Sequence, residues 1–351
     1  MRRAIWSALA LMVSAAASAS FVAAQVSVAR APAAGESHFA SIRQLTDEGT
    51  QAEAYFSPDG QWLTFQSTRG DHPCDLQFVM RTDGRDMRRV SPDGGKTTCG
   101  WFLPDGNRLF FGSTHATGDA CPPRPDPSRG YVWGLDPFDI YTAAVDGSDI
   151  RRLTSYGVYT AEGVLSPDGK SIVFTSLKDG DLEIYTMNVD GSNVRRLTHK
   201  AGYDGGPWWS PDGSKIVYRA YHPTDPAELK DYQDLLAQRI VRPSKMELWV
   251  MNADGSDQRQ ITHLGGANFG PSWTPDGKQI IFSSNYKNPR GGNFDLFVVS
   301  LDGTGLTQIT NDEGFDGFPM FSPDGTKLVW GSGRHAKGER DVNIFIADWR
   351  P

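Results

Sequence analysis

Short segments in which apolar and polar residues alternate follow one another along most of the chain, and this pattern predicts β-strands. Residues 62–65 and 280–282 are examples. A Pro-Asp-Gly tripeptide precedes six such segments. The tripeptide is typical of a tight turn, because proline presets φ, aspartate bonds its own backbone and glycine accepts positive φ. Each copy therefore predicts a turn between two strands, A and B. The six turn prolines are Pro58, Pro104, Pro167, Pro211, Pro275 and Pro323.

A second turn signal, Asp-Gly, follows in every repeat but the last. The aspartates are Asp83, Asp146, Asp190, Asp254 and Asp302. Asp-Gly between alternating strands is typical of a type I′ hairpin, here between strands C and D. The turn prolines lie 46, 63, 44, 64 and 48 residues apart. This spacing predicts an all-β fold, a six-bladed β-propeller over residues 41–351.

The sixth repeat lacks a D strand, since the chain ends at Pro351 soon after its C strand. The missing sequence occurs at the other end of the chain, where residues 42–46 resemble the D-strand endings at 151–154 and 259–262. We therefore expect the N-terminal strand to complete the last blade. That arrangement closes the ring and leaves no open sheet edge.

The first 24 residues have the layout of a secretory signal peptide. Arg2 and Arg3 precede an apolar, alanine-rich run that ends in Val22-Ala23-Ala24. The alternative is a membrane anchor, but the strongly apolar part is shorter than the roughly 20 residues that a spanning helix needs. Cleavage after residue 24 predicts a periplasmic or secreted protein that does not span the membrane.

Charge narrows the range of partners. The net charge is -7, and it becomes -9 once Arg2 and Arg3 are removed. Such an acidic chain is a poor partner for nucleic acid or for an anionic membrane, both of which attract basic surfaces.

The three cysteines, Cys74, Cys99 and Cys121, predict one disulfide and one free thiol in an oxidising compartment, with all three pairings open. Zinc is the weaker interpretation, because the sequence has no C-x-x-C pair.

Two repeats carry about 20 extra residues between strands B and C, at 116–137 and 222–245. In the second insertion, Pro226 starts a predicted amphipathic helix with Asp225 or Thr224 as its N-cap. The B–C loops and the D-to-A connections lie on one face of the disc, which we call the upper face; the A–B and C–D turns lie on the lower face. Variable loops on a rigid scaffold commonly carry function, which points to the upper face.

Two sets of residues are expected at the upper mouth of the central channel. The first set opens the A strands, six or eight positions before the turn aspartate, and the second, mostly basic set follows the B strands. The candidate binding residues are Glu53, Arg69, His115, Glu162, Lys178, Asp204, His222, Asn268, Tyr286, Asp316 and Arg334. Alternatively, Glu53 with Arg69 and Glu162 with Lys178 form ordinary ion pairs within their blades.

Catalytic signals are weak. The B–C loops contain His72, His115, His222 and His335, which would suit a transition metal, but they belong to blades spread around the ring. The sequence contains no G-x-S-x-G, H-E-x-x-H, G-x-G-x-x-G or P-loop motif. We therefore expect no catalytic residues, no cofactor and no second domain.

The repeat resembles a known family. Residues 209–218, WSPDGSKIVY, followed by 248–256, LWVMNADGS, resemble the TolB-type propeller repeat, and the likeness covers about 310 residues. The resemblance implies an envelope protein that binds partner proteins, with calcium as a candidate channel ligand. The chain is expected to differ from TolB itself, because the stretch between the predicted cleavage site and the first strand is too short for the α/β domain that precedes the TolB propeller. Related propellers occur in prolyl-oligopeptidase-like enzymes, whose hydrolase half is absent here, and in metal-dependent oligogalacturonate lyases.

Three functions follow as hypotheses, since a fold alone does not determine function. The first is a monomeric, non-catalytic module that binds an envelope or secreted protein in an upper-face groove between the two insertions. The second is a module that binds a peptide, oligosaccharide or peptidoglycan through exposed aromatic side chains, with Tyr131, Trp133, Tyr221 and Tyr286 as candidates. The third is a metal-dependent lyase at the channel mouth.

Overall fold

A computed structural model describes residues 27–338 and 341–351. The predicted signal peptide, residues 1–24, lies outside the described residues, so its cleavage stays a prediction. The strands form six antiparallel sheets, one for each repeat, and a small two-stranded sheet. The innermost strands contact one another in sequence and the last returns to the first, so the six-bladed propeller is confirmed.

The first five blades each have four strands, in the order A to D from the channel outward. Blade 1 consists of Thr50–Phe56, Trp62–Thr68, Leu76–Arg81 and Arg88–Arg89. Blade 2 consists of Thr97–Phe102, Arg108–Ser113, Asp139–Ala144 and Arg151–Arg152. Blade 3 consists of Thr160–Leu165, Ser171–Ser176, Glu183–Asn188 and Arg195–Arg196. Blade 4 consists of Tyr203–Trp209, Lys215–Tyr221, Glu247–Asn252 and Arg259–Gln260, and blade 5 of Asn268–Trp273, Gln279–Ser284, Asp295–Ser300 and Thr307–Gln308.

The sixth blade is completed from the N-terminus, as predicted. Its strands A to C are Asp316–Phe321, Lys327–Ser332 and Asn343–Trp349, and Phe39–Gln44 pairs with strand C as strand D. Strand D thus begins two residues before the predicted domain start at residue 41. A fifth strand, Val28–Arg30, pairs with the outer edge of Phe39–Gln44 and was not predicted from the sequence.

The turns correct one sequence prediction. At each Asp-Gly turn the glycine has positive φ, as at Gly84 with 88°, but the aspartate does not. The amide of Gly84 donates to the carbonyl of Arg81, which makes a turn followed by a left-handed glycine rather than a type I′ turn. This geometry places one extra residue in the hairpin and still reverses the chain.

The hydrophobic core lies between neighbouring blades rather than at one centre. Val173 and Ile184 of blade 3, for example, pack with Ile216 and Tyr218 of blade 4, and all four are fully buried. Each blade thus buries both of its faces against its neighbours, which fixes the positions of the channel-lining strands.

The two insertions pair with each other above the disc. The predicted helix is confirmed as Pro226–Leu236, with the Asp225 carboxylate accepting from the amides of Ala227 and Glu228. The strand Trp133–Gly134 of the first insertion pairs with Ile240–Val241 of the second. Short 3₁₀ helices at His115–Thr117 and Pro127–Arg129 complete the first insertion. Within the described ranges, no helix is long and apolar enough to cross a membrane.

Candidate binding site

Six β-bulges shape the inner wall of the channel. In every A strand, the residue six positions before the turn aspartate has φ between 50° and 58°. These residues are Glu53, Cys99, Glu162, Gly206, Gly270 and Phe318. A bulge re-aims a side chain and stops regular pairing, so all six residues face the channel instead of a neighbouring blade.

Two of these residues are carboxylates that bridge neighbouring blades. The Glu53 carboxylate accepts from the amide of Cys99 at 2.9 Å, and that of Glu162 accepts from the amide of Gly206 at 2.9 Å. Each glutamate therefore satisfies a bulge amide of the next blade that the bulge has freed. The two side chains have this structural task whatever else they bind.

A buried arginine completes the wall and was missed from the sequence. Arg219, from strand B of blade 4, forms an ion pair with Glu162 and donates to the Tyr203 hydroxyl at 3.0 Å. Only 7% of its side chain is exposed. The available signal was a charged residue inside the otherwise apolar strand Lys215–Tyr221, at a position where a buried side chain needs a partner. We call Glu53, Glu162, Arg219, Tyr203 and Cys99 the channel cluster.

Glu53 differs from Glu162 in having no cation within hydrogen-bonding distance. Burial raises the pKa of Glu53 to about 7, although the hydrogen bonds from Cys99 oppose the shift. Burial also raises the pKa of the Cys99 thiol well above its usual value, so this cysteine is protonated at neutral pH. The channel cluster therefore contains one carboxylate in an ion pair, Glu162, and one carboxyl group with a pKa near neutrality, Glu53.

Aromatic rings close the channel below the cluster. Tyr55, Trp101 and Trp208 come from three different blades, and their ring centroids lie 4.9 to 5.4 Å apart. Above the cluster, the ring of Trp133 from the first insertion lies over the Arg219 guanidinium at 5.2 Å. The space left between these layers is about 30 Å³, room for about two water molecules.

The other residues expected at the channel mouth lie elsewhere. Asp204, Asn268 and Asp316, eight positions before the turn aspartate, are at most 1% exposed and point into their blades. Asp204 binds Nε2 of His222 at 2.9 Å, and Asn268 accepts from the Ser284 hydroxyl. The reason is the bulge, which lies between the residues eight and four positions before the turn aspartate. Because it interrupts the alternation of side chains, residues before it and residues after it do not share one face of the strand.

The mostly basic set is not a rim either. Each of its members packs on the aromatic ring at the third position of strand C in its own blade, two strands away from the channel-lining strand. The pairs are Arg69–Phe78, His115–Tyr141, Lys178–Tyr185, His222–Trp249, Tyr286–Phe297 and Arg334–Phe345. These repeated contacts are a structural feature of the blade. The alternative pairs also fail to form: Lys178 binds Asp179, and Arg69 contacts the sulfur of Met87.

The cysteines and histidines are now placed. Cys74 and Cys121 form a disulfide that links the first insertion to the B–C loop of blade 1, and Cys99 is the buried free thiol in the channel. Among the described residues, the one group of histidine, cysteine or acidic side chains with metal-ligand spacing is His72 with Cys74 and Cys121. His115 and His222 are not part of this group.

The upper face carries a surface built jointly by the two insertions, which we call the platform. It consists of residues 116–137 and 222–245. A cavity of about 410 Å³ lies between them and is lined by residues of both insertions. Hydrogen bonds from Arg129 to Gln238 and from Arg242 to the Arg129 carbonyl hold the two segments together. The groove expected between the insertions is thus closed by a sheet, with this cavity beside it.

One aromatic side chain on the platform faces solvent. Tyr131 is 62% exposed, the highest value among the exposed large hydrophobic residues of the described chain. Its hydroxyl accepts from Nε1 of the half-buried Trp133. The other two aromatics considered for sugar stacking are engaged, because the Tyr221 hydroxyl donates to Glu228 and the Tyr286 ring packs against Phe297.

Comparison with known proteins places this arrangement in a family. Residues 135–225 and 247–343 match the family described as the TolB beta propeller domain. The chain belongs to the TolB β-propeller domain family. The resemblance inferred from the turn motifs is therefore confirmed.

Individual TolB relatives match over different extents. A 40-residue segment is 42% identical to the Tol-Pal system protein TolB of Nitratidesulfovibrio vulgaris, covering 11% of this chain and 9% of that protein's length. The structure of a putative TolB from Agrobacterium tumefaciens superposes with a TM-score of 0.58 at 21% identity, covering 86% of this chain and 91% of that one.

Enzymes share the TolB-like propeller shape as well. A gluconolactonase from Xanthomonas campestris superposes with a TM-score of 0.58 at 15% identity over 96% of this chain and 99% of that one. An oligogalacturonate lyase in complex with manganese gives 0.54 at 15% identity over 93% and 97%. At these identities the likeness shows the fold alone, and the function has to be argued from the site.

Proposed function

We propose that this TolB-like propeller is an exported, monomeric and non-catalytic module of the cell envelope that binds a protein partner through the platform. The observation that carries the proposal is the cavity of about 410 Å³ formed jointly by the two insertions, the first of which also carries the exposed Tyr131. Export is supported by the predicted signal peptide. Membership of the TolB family and the match to a Tol-Pal system protein support a place in the envelope.

The small space around the channel cluster favours the platform over this part of the channel as the binding surface. The space around the channel cluster is about 30 Å³, whereas ligand pockets commonly measure about 300 to 1,000 Å³. Tyr55, Trp101 and Trp208 close this space from below, and Trp133 covers Arg219 from above. A chain or sugar cannot fit around the channel cluster without moving these aromatic rings.

The side chains of the platform suit a protein partner. Tyrosine and arginine are enriched among the residues that dominate binding energies. Arg124, Arg129 and Arg239 line the cavity, and Tyr131 is exposed on the same insertion as Arg124 and Arg129. The hydrogen bonds between Arg129 and Gln238 and between Arg242 and Arg129 pre-organise this surface, which lowers the entropy cost of binding. We expect a partner that inserts an apolar or acidic side chain beside Tyr131.

Site-specific photo-cross-linking in the native host tests the proposal. A photoreactive phenylalanine analogue replaces Tyr131 in one variant and Ile150 in the other. Ile150 is also exposed but lies at the C–D turn of blade 2, on the lower face. We expect a discrete protein adduct from position 131 and none of the same mass from position 150. Equal adducts from both positions, or none from position 131, would overturn the proposal.

A binding measurement then separates recognition from proximity. With the cross-linked partner purified, Tyr131→Ala should weaken the complex at least about tenfold, in the range of an interface hot spot. Ile150→Ala is the matched control and should leave the dissociation constant unchanged. Unchanged binding of Tyr131→Ala would place the contact surface elsewhere.

A further inference from the structure

An imidazole lies against the disulfide that holds the first insertion. Nε2 of His72 is 3.5 Å from Sγ of Cys74 and 3.9 Å from Sγ of Cys121. The three side chains are half-buried, so solvent reaches them. Nothing in the channel cluster or in the platform's binding role uses this group.

The distances suit a metal once the sulfur–sulfur bond is open. With Zn–S near 2.3 Å and Zn–N near 2.0 Å, tetrahedral geometry places nitrogen and sulfur ligands about 3.5 Å apart and two sulfurs about 3.8 Å apart. Both nitrogen–sulfur distances are already close to that value. After reduction, only the two sulfurs have to separate, from bonding distance to about 3.8 Å.

We propose that His72, Cys74 and Cys121 form a redox-dependent site for zinc or a similar thiophilic divalent cation. In the oxidised protein the disulfide excludes the metal, because both sulfurs are engaged in a covalent bond. In the reduced protein the two thiolates and the imidazole supply three ligands, and a water molecule completes the tetrahedron. The group combines a histidine two residues before a cysteine with a cysteine from another blade's insertion, so the missing C-x-x-C motif does not argue against it.

The exchange between the two forms balances. A dithiol reductant transfers two electrons and two protons to the Cys74–Cys121 disulfide and leaves as its own disulfide. The cation then displaces the two thiol protons. The Gly95 carbonyl can only accept, so Nε2 of His72 carries the hydrogen in the bond to it at 2.9 Å. Metal binding therefore requires Nε2 to give up this bond and the hydrogen to move to Nδ1. The affinity depends on pH because the cation displaces the two thiol protons.

Either form joins the same two segments. Cys74 lies in the B–C loop of blade 1 and Cys121 in the insertion of blade 2 that carries Trp133 and Tyr131. The disulfide makes this link in an oxidising compartment, and the metal would make it where thiols are reduced. The proposal does not depend on the platform binding a partner.

Cobalt binding to the full folded chain tests the site. Protein reduced with a dithiol and desalted anaerobically is titrated with Co²⁺, which gives thiolate charge-transfer absorption when sulfur ligates it. We expect one equivalent bound by the reduced protein, none by the oxidised protein, and displacement by Zn²⁺. Zinc should also protect Cys74 and Cys121 of the reduced protein from alkylation, as measured by peptide mass spectrometry.

Variants assign the ligands. His72→Ala should weaken cobalt binding well beyond tenfold, since even loss of an outer-shell partner commonly costs 10- to 100-fold, and Cys74→Ser or Cys121→Ser should abolish the charge-transfer band. Cys99→Ser is the control, because that buried thiol lies in the channel and should leave the titration unchanged. No cobalt band in reduced protein that keeps its native circular dichroism, or unchanged affinity in His72→Ala, would overturn the proposal.

Discussion

Two places in the propeller combine one buried arginine with two carboxylates, and they satisfy these charges differently. Where the N-terminal segment closes blade 6, Arg334 donates to both oxygens of Glu36, at 2.9 and 3.1 Å, and to Asp316 at 3.1 Å. In the channel cluster, Arg219 binds Glu162 and Tyr203 but not Glu53. In the first arrangement both carboxyl groups accept hydrogen bonds from the one guanidinium, whereas the second leaves one carboxyl group without a bonded cation.

The difference follows from position. Glu36, Asp316 and Arg334 are sealed inside the protein, with side chains at most 3% exposed, and an unpaired charge there would be costly. Glu162 is 12% exposed to the channel, where water can reach a carboxylate. The blade 6 group therefore fixes the ring closure, while the channel cluster can accommodate a change of protonation.

The largest effect should come from the closure. Arg334→Met leaves Glu36 and Asp316 buried without their cation, and breaking such a group commonly costs about 3–5 kcal/mol. We expect that loss in the free energy of unfolding, measured by urea denaturation at pH 7. Arg151→Met is the control, since the Arg151 side chain is 69% exposed and its ion pair should contribute little to stability. Equal midpoints for the two variants would show that the closure does not depend on this group.

The channel arginine should matter less. Arg219→Met removes the cation from Glu162 and a donor from the Tyr203 hydroxyl, but water in the channel can hydrate the partly exposed Glu162 carboxylate. We expect a loss of about 2–3 kcal/mol in the free energy of unfolding. Adding Glu162→Gln to Arg219→Met should restore part of it, because the carboxylate that has lost its cation is replaced by a neutral amide. A double variant no more stable than Arg219→Met would show that packing, not charge, accounts for the loss.

Glu53 should make the free energy of unfolding depend on pH. Its folded pKa is raised from 4.5 to about 7, so the folded protein binds the proton more tightly than the unfolded chain. The contribution of Glu53 to stability is therefore greatest below about pH 4.5 and falls as the pH rises towards 7. In Glu53→Gln this dependence is absent, and the variant should be up to about 3 kcal/mol more stable than wild type at pH 8 and nearly equal to it near pH 4.5.

Comparison with a matched variant isolates that effect. Burial also raises the pKa values of Glu183 and Asp295 to about 7, so the wild-type profile sums several groups. Urea midpoints of Glu53→Gln should therefore be compared with wild type at each pH. Glu313→Gln, at an exposed glutamate, is the control and should follow wild type throughout. Parallel profiles for Glu53→Gln and wild type would contradict the raised pKa.

The fold was predictable from the sequence and most of the candidate site was not, for physical reasons. Turn chemistry is local, so Pro-Asp-Gly and Asp-Gly defined the blades, and the displaced Phe39–Gln44 strand followed from counting strands. Glu53 and Glu162 face the channel because the bulge recurs at the same position in every blade. Asp204 and Asp316 were misplaced because the same bulge reverses the side-chain alternation.

Contacts between distant segments left no sequence pattern to read. Arg219 of blade 4 forms an ion pair with Glu162 of blade 3, and the ring of Trp133, from the insertion of blade 2, lies over the Arg219 guanidinium. His72 lies beside a disulfide whose second cysteine is 49 residues away. Such pairs depend on the ring geometry, which brings residues together irrespective of their separation in sequence.

The smallest effect tests whether the backbone or the arginine limits the channel cluster. Gly206 and Gly270 occupy the same bulge position with φ of 56° and 58°, so an alanine at either site pays a similar cost for left-handed backbone. A Cβ at Gly206 would collide with the Arg219 guanidinium, whereas at Gly270 the nearest atom is Cδ1 of Phe318 at 3.2 Å. We expect Gly206→Ala to be about 1 kcal/mol less stable than Gly270→Ala in urea denaturation. If the two midpoints coincide, the Arg219 side chain moves freely and its contacts with Glu162 and Tyr203 contribute little; if they differ, the guanidinium is held in place and Glu53 lacks a cation because Arg219 cannot turn towards it.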